Sequence, residues 1–358
     1  MPSLKEIKGR INSISSTLAI TSAMKMVAAA KLQKAQMAIQ NMLPYERRLH
    51  SMLIDLMGAM NISAAASEDG SVRGSGSAER GFDQSGDRLS LSNRHDLAGM
   101  DGAYSLMAQR EVRKVAIVAF ASNSSLCGAF NSNAIREATA VINEYRASGL
   151  RDSDIVVYSV GRKMAEAMRK LGFPSPADFT KMSDSPSYEA ASVLAQELLD
   201  GFVPGRFDKV ELVYNHYKST SSQPTTRQTY LPLSLADATA DLQAGKITDS
   251  ASESDTNRGA EPVGAPVVRQ GSPTTEDLIV EPSKEALIAT LLPKVVRLRI
   301  FTTLLDSAAA EHAARTVAMQ LATDNGNDLL QELTLEYNKG RQQKITSEIL
   351  DLVGGSLQ

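Results

Sequence analysis

The chain has one cysteine and no tryptophan, and aromatic residues make up only 5% of its 358 positions. A lone Cys127 excludes an internal disulfide and any cysteine-rich zinc site. His50, His95, His216 and His312 are scattered without metal-ligand spacing. No run approaches the roughly 18 apolar residues of a membrane-spanning helix. The first residues, MPSLKEIKGRI, are charged from the start and carry no apolar signal region. These features are those expected of a protein made and kept in a reducing bacterial cytoplasm. There is no GxxxxGK[ST], and no GxGxxG following a strand. A formal net charge of −3 gives no global pull towards nucleic acid. The acids Glu332, Glu336, Glu348 and Asp351 fall on an extended helix rather than a cleft, where a solvated face is the default. No cofactor and no metal are expected.

What is abundant is alanine and methionine, and with them helical periodicity. Leu4, Ile7, Ile11, Ile14 and Leu18 are spaced 3, 4, 3, 4, a seam of period about 3.5 that suits a supercoiled helix. The phase slips, resumes at Met24, Ala28, Leu32, Ala35, Ile39 and Met42, and continues past Pro44 through Leu49, Leu53, Leu56 and Met60. Pro44 is expected to kink this helix. A second helical pattern fills 283–354, with a seam at Phe301, Leu305, Ala308, His312, Arg315, Met319, Ala322, Gly326, Leu329 and Leu333, and a bend expected at Pro293. Two narrow seams of this length are buried most simply against each other, as an antiparallel coiled coil. Ala28–Ala30 on one side and Ala308–Ala310 with Ala313–Ala314 on the other allow close approach and a slim rod.

Between the helices the pattern changes. Val115–Phe120 (VAIVAF) reads as a buried strand, followed by the turn SNSSLCGAFN. Further strands are expected over Asp154–Val160, Val210–Tyr217 and Gln228–Leu233, with helices over Asn131–Ser148, Arg162–Leu171 and Ser187–Leu199. The alternation gives a small Rossmann-like α/β domain with a mainly parallel sheet. The expected organisation is a coiled-coil helix over 1–60, a disordered insert over 61–111, the α/β domain over 112–235, a polar insert over 236–276 and a second coiled-coil helix over 277–358. Both inserts are rich in Ser, Gly and charge and poor in apolar residues.

Chemistry is sparse. The turn at Leu126–Cys127–Gly128 could cradle a phosphate, but a tight strand-to-helix turn explains it as well. Cys127 could act as a nucleophile, but no histidine lies within ten residues and a buried thiol is the plainer reading. Residues 1–50 hold eight Lys/Arg and two Asp/Glu, a net of +6, which suits either a solvated helix or an acidic partner around the rod.

Ile20–Leu32 (ITSAMKMVAAAKL) resembles the N-terminal helix of F-type ATP synthase γ subunits. Ser307–Met319 (SAAAEHAARTVAM), Ala322–Asn325, Leu333–Gln342 (LTLEYNKGRQ) and Ile345–Gly355 (ITSEILDLVGG) resemble the second helix of that family. Ser122–Asn131 is similar to its SDRGLCGAFN turn, with Asn123, Ser124 and Ser125 in place of DRG. Ala19 and Ser22 stand where many relatives carry lysine. The resemblance covers both helices and the α/β domain but not the inserts, which carry no cysteine pair for a thiol switch.

The resemblance implies a non-catalytic central-stalk rotor on the cytoplasmic face of the bacterial inner membrane, coupling rotation of the c ring to conformational cycling of the β subunits. The implied partners are the α and β ring, ε and the membrane c ring. It places Met24, Lys25, Arg315, Arg341, Gln342, Thr346, Glu348 and Asp351 against β, with Arg341 and Gln342 on a catch loop. Asp277 and Glu281 would lie on the c-ring and ε side. Two other readings stay open on the residues: an α/β enzyme with a pocket at the strand ends near Cys127, and a free-standing coiled-coil scaffold.

Overall fold

The computed structural model describes residues 3–59, 105–233, 281 and 284–355. Asp277 and almost all of both inserts lie outside these residues. In chain order the elements are α1 (Leu4–Ala59), β1 (Val115–Phe120), α2 (Phe130–Ala147), β2 (Ile155–Val160), α3 (Arg162–Lys170), α4 (Thr180–Asp184), α5 (Tyr188–Phe202), β3 (Lys209–Asn215), β4 (Thr225–Leu231) and α6 (Lys284–Gly355).

The two terminal helices have 56 and 72 residues. At about 1.5 Å per residue they measure roughly 84 Å and 108 Å. They pair antiparallel: position rises along one as it falls along the other. Leu18 lies against Gly326 and Leu4 against Gly340. Thr323 donates to the Thr21 hydroxyl at 3.1 Å, and Thr302 donates to Glu46 at 3.2 Å. A Cβ on Gly326 would stand 2.6 Å from Leu18 Cδ2, so the glycine sets how close the backbones come. Neither Pro44 nor Pro293 ends its helix.

The first seam is less exposed than its flanks, as the spacing requires, with Ile7, Ala28, Leu32, Leu49, Leu53 and Leu56 fully buried. The second seam departs from the expectation beyond Met319. Ala322 and Leu329 are exposed, and the inward positions are Thr323, Gly326, Leu330, Leu333, Tyr337 and Gly340. Both stripes alternate 3 and 4 and share Gly326 and Leu333; they differ only in the positions between, where Thr323 and Leu330 turn inward in place of Ala322 and Leu329.

The sheet has the order β2-β1-β3-β4, with the first three strands parallel and β4 antiparallel at the edge. β1 is buried at every position because it is central and covered on both faces. Ile117 and Ala119 face a core completed by Val141 and Ile142 of α2 and Met164 and Met168 of α3. Val118 and Phe120 face a second core with Leu194 and Leu198 of α5. That second core also takes in the bases of both long helices, through Leu49, Leu53, Leu292, Val296 and Leu304. Rod and domain therefore share one core.

The insert is shorter than its composition suggested. Leu106 is 2% exposed in that core, and its carbonyl accepts from the Leu233 N–H at 2.8 Å. Arg110 donates to the Phe202 carbonyl at 3.0 Å. Leu106, Met107 beside it and Arg110 thus dock a segment that reads as polar linker. Turns account for the rest of the domain's shape. Gly161, at φ +96°, opens α3 so close to β1 that a Cβ there would stand 2.0 Å from the Ala121 carbonyl oxygen.

Candidate functional site

In an open α/β sheet the natural crevice lies outside the carboxyl ends of the strands where the winding direction reverses. Here that point lies between β1 and β3, and the loops beyond both strands close on α6. The pocket required by an enzyme reading near Cys127 is therefore filled by the rod itself.

From the β3 side, Asp306 of α6 accepts the Tyr217 N–H at 2.8 Å and pairs with His216 Nδ1 at 2.6 Å. This hydrogen bond raises the His216 pKa, against opposing burial. The Tyr217 hydroxyl takes a hydrogen bond from Gln36 of α1 at 2.7 Å, so one loop reaches both helices.

From the β1 side, the guanidinium of Arg315 donates to the Ser125 carbonyl at 2.6 Å, the Ser124 hydroxyl at 2.8 Å and Glu311 at 2.8 Å. The turn that receives it holds Leu126 and Gly128 at positive φ, and Gly128 comes up against Ala318. Asn123 does local work in this turn: it donates to the Thr180 carbonyl and accepts the first N–H of α3, each at 2.7 Å. Cys127 is buried, with Asn131 donating to its sulfur at 3.2 Å. It is an inert packed thiol rather than an exposed nucleophile.

Beside this clamp of Arg315 on the turn after β1, a cleft of about 310 Å³ opens between α1, α4 and α6, lined by Met24, Lys31, Asp184, Glu311, His312 and Arg315 among others. Burial raises the Glu311 carboxyl despite its arginine partner. Burial, helped by Lys31 and Arg315, lowers His312 to about 4. Perturbed groups in a cleft mark candidate sites. These two are explained by the seam they occupy, where a charged rod face is forced against alanines and a neighbouring turn.

The residues expected to meet partners divide sharply. Arg315 is buried, with its guanidinium bonded to Ser124, Ser125 and Glu311 inside the chain. Met24 and Lys25 are half-buried at the level of the cleft. Arg341, Gln342, Thr346 and Glu348 are all exposed. They lie beyond Gly340, where among the described residues α1 no longer runs alongside, on a stretch of α6 continuing for roughly 22 Å. Asp351 belongs to the same stretch of α6. Ile349, Leu350 and Leu352 are exposed there at 54%, 64% and 75%. Glu281 is exposed near the base. Sequence reading missed Asp306 and Tyr217; the available signal was a lone carboxylate in the otherwise uncharged stretch Phe301–Ala310.

A sequence model described as ATP synthase matches residues 3–357. The ATP synthase gamma chain of Phocaeicola vulgatus is 46% identical over 357 residues, covering all of both chains. The chain belongs to the ATP synthase gamma chain family. The gamma chain of Bacteroides thetaiotaomicron is 44% identical over 358 residues, again across the full length of both. The fold also matches a chain in the structure of the Euglena gracilis mitochondrial ATP synthase containing OSCP, F1 and the c-ring. That match has TM-score 0.51 and 18% identity, covering 98% of this chain and 92% of the other. Gamma chains are non-catalytic subunits of a membrane ATP synthase, which they join peripherally. Among the described residues no helix is long and apolar enough to cross a membrane.

Proposed function

We propose that the chain is the central shaft of an F-type ATP synthase rotor, carrying rotation of a membrane c ring to the catalytic β subunits. The observation that supports it best is the bare end of α6. A soluble chain does not leave a row of apolar residues on a single unpaired helix turn after turn unless a partner covers them. A ring of α and β subunits closing around the tip would do so. A shaft whose faces differ then favours a different conformation in each surrounding β subunit, and turning it redistributes that preference.

In this reading Arg341 and Gln342 engage a β loop, the guanidinium being suited to a bidentate carboxylate contact. Thr346, Glu348 and Asp351 extend that contact along the tip, and Met24 with Lys25 meets β lower down. Arg315 is not part of the set. Asp277 and Glu281 lie on the side of ε and the c ring, and the whole stands on the cytoplasmic face of the bacterial inner membrane. Affinity purification of the tagged chain from its own membranes tests the reading. Stoichiometric α, β and ε subunits are expected. A chain recovered alone, or only with copies of itself, would return the scaffold reading.

A further inference from the structure

We propose that Tyr217 is a positioning residue that fastens the α/β domain to both helices of the rod, fixing where the stiff base ends and the compliant shaft begins. This rests on the rotor reading and adds to it a mechanical role for one residue. Tyr217 packs on one side with Leu32, Ala309 and Ala313, and on the other with Cys127, Phe130 and Ala310. Its ring therefore touches α1, α6 and the start of α2 together. Its N–H is held by Asp306, its hydroxyl by Gln36, and Asp306 also pairs with His216.

The loop that delivers it is tied to the sheet. Asn215 donates to the Phe130 carbonyl at 3.1 Å and accepts from Thr225 at 2.7 Å, and the His216 N–H reaches the Pro224 carbonyl at 2.9 Å. Sheet, α1, α2 and α6 thus converge on one side chain. Below it both helices are bedded in the shared core. One turn or two above it, beyond Arg315 and the level where Gly128 faces Ala318, the helices are hydrogen-bonded, among the described residues, only within themselves and to each other.

The angular compliance of a shaft grows with its free length. From Met319 to Gly340 the paired, unbraced shaft is about 32 Å long, and the braced stretch from Asp306 to Ala318 adds about 20 Å when released. Loss of the brace therefore raises the angular variance by up to about 1.6-fold. The variance expected for Tyr217→Ala lies between the wild-type value and that bound.

The test uses the assembled, reconstituted complex, with the α and β ring stalled by a non-hydrolysable nucleotide and a rigid probe fixed to the α/β domain. The angular variance of the probe is recorded. Tyr217→Ala is expected to raise it, Tyr217→Phe to restore most of the wild-type value, and Gln36→Leu to give a smaller rise that is absent when combined with Tyr217→Phe. Asp306→Asn, at a partly exposed position, is expected to raise it too and decides the matter if Tyr217→Ala fails to assemble. Unchanged variance in the assembled variants overturns the proposal. Failure of the wild-type chain to assemble with α and β overturns the rotor reading instead.

Discussion

The lower and upper parts of α6 are one helix built to two different rules. Below Ala318 its polar side chains are spent inside the chain: Asp306 on His216 and Tyr217, Glu311 on Arg315, Arg315 on the turn after β1. Beyond Gly340 its side chains are turned out, with Arg341, Gln342, Thr346 and Glu348 beside exposed Ile349 and Leu352. Charge on a helix thus has opposite meanings according to whether the helix has neighbours. Removing a charge from the lower part costs folding stability, and removing one from the upper part leaves stability nearly unchanged.

The largest effect lies at the foot of the comparison, where the domain itself is tightest. Gly161→Ala puts a Cβ into the Ala121 carbonyl at a φ that side chains avoid, and is expected to cost about 3 kcal/mol or more. Denaturant unfolding of the purified chain measures this, and a loss below half that figure would show that α3 can shift freely.

Next comes the clamp. Arg315→Ala leaves Glu311 buried without its partner, at an expected cost of about 3 kcal/mol near neutral pH. Adding Glu311→Gln should recover part of the loss, because no charge is then stranded. Equal stability of the single and double variants would show that the pair is not coupled.

A smaller effect is expected from acid. The folded chain holds His312 at about 4, below its unfolded value near 6.5, so the folded state binds fewer protons over that window. Stability is unpenalised above about pH 6.5, falls as pH drops towards 4, and then levels. Lys31 on α1 and Arg315 on α6 oppose protonation, and Asp184 on α4 favours it. Allowing for partial exposure, the cost is about 1–2 kcal/mol. Comparing unfolding curves of wild type and His312→Gln at pH 7 and pH 4 isolates it from the other carboxylates. Identical pH dependence in the two would refute the assignment.

Much of this contrast can be read in the sequence, and the parts that cannot have physical reasons. Helix lengths, the antiparallel pairing and the central strand follow from periodicity, because a buried stripe has to repeat. The stripe above Met319 was misplaced because its inward positions include Thr323, which a hydrophobic pattern does not count, and Leu330, whose neighbour Leu329 is equally apolar. Residues 105–111 were grouped with the polar insert because Leu106 and Met107 form an apolar run too short to show a period. Periodicity put Arg315 on the inward seam, while the resemblance put it against β; only the packed turn after β1 shows which groups its guanidinium meets. Tyr217 and Asp306 meet across 89 residues of sequence, and no local pattern brings them together.

The account turns on the division between a self-contained base and a tip made for partners, and Arg341→Ala tests it most directly. Its thermal unfolding as the isolated chain and its ATP synthesis rate in membranes carrying the assembled complex should be measured side by side. The account predicts stability within about 0.5 kcal/mol of wild type and a several-fold drop in synthesis. Wild-type synthesis from the assembled variant, or a loss of stability comparable to that of Arg315→Ala, would contradict it.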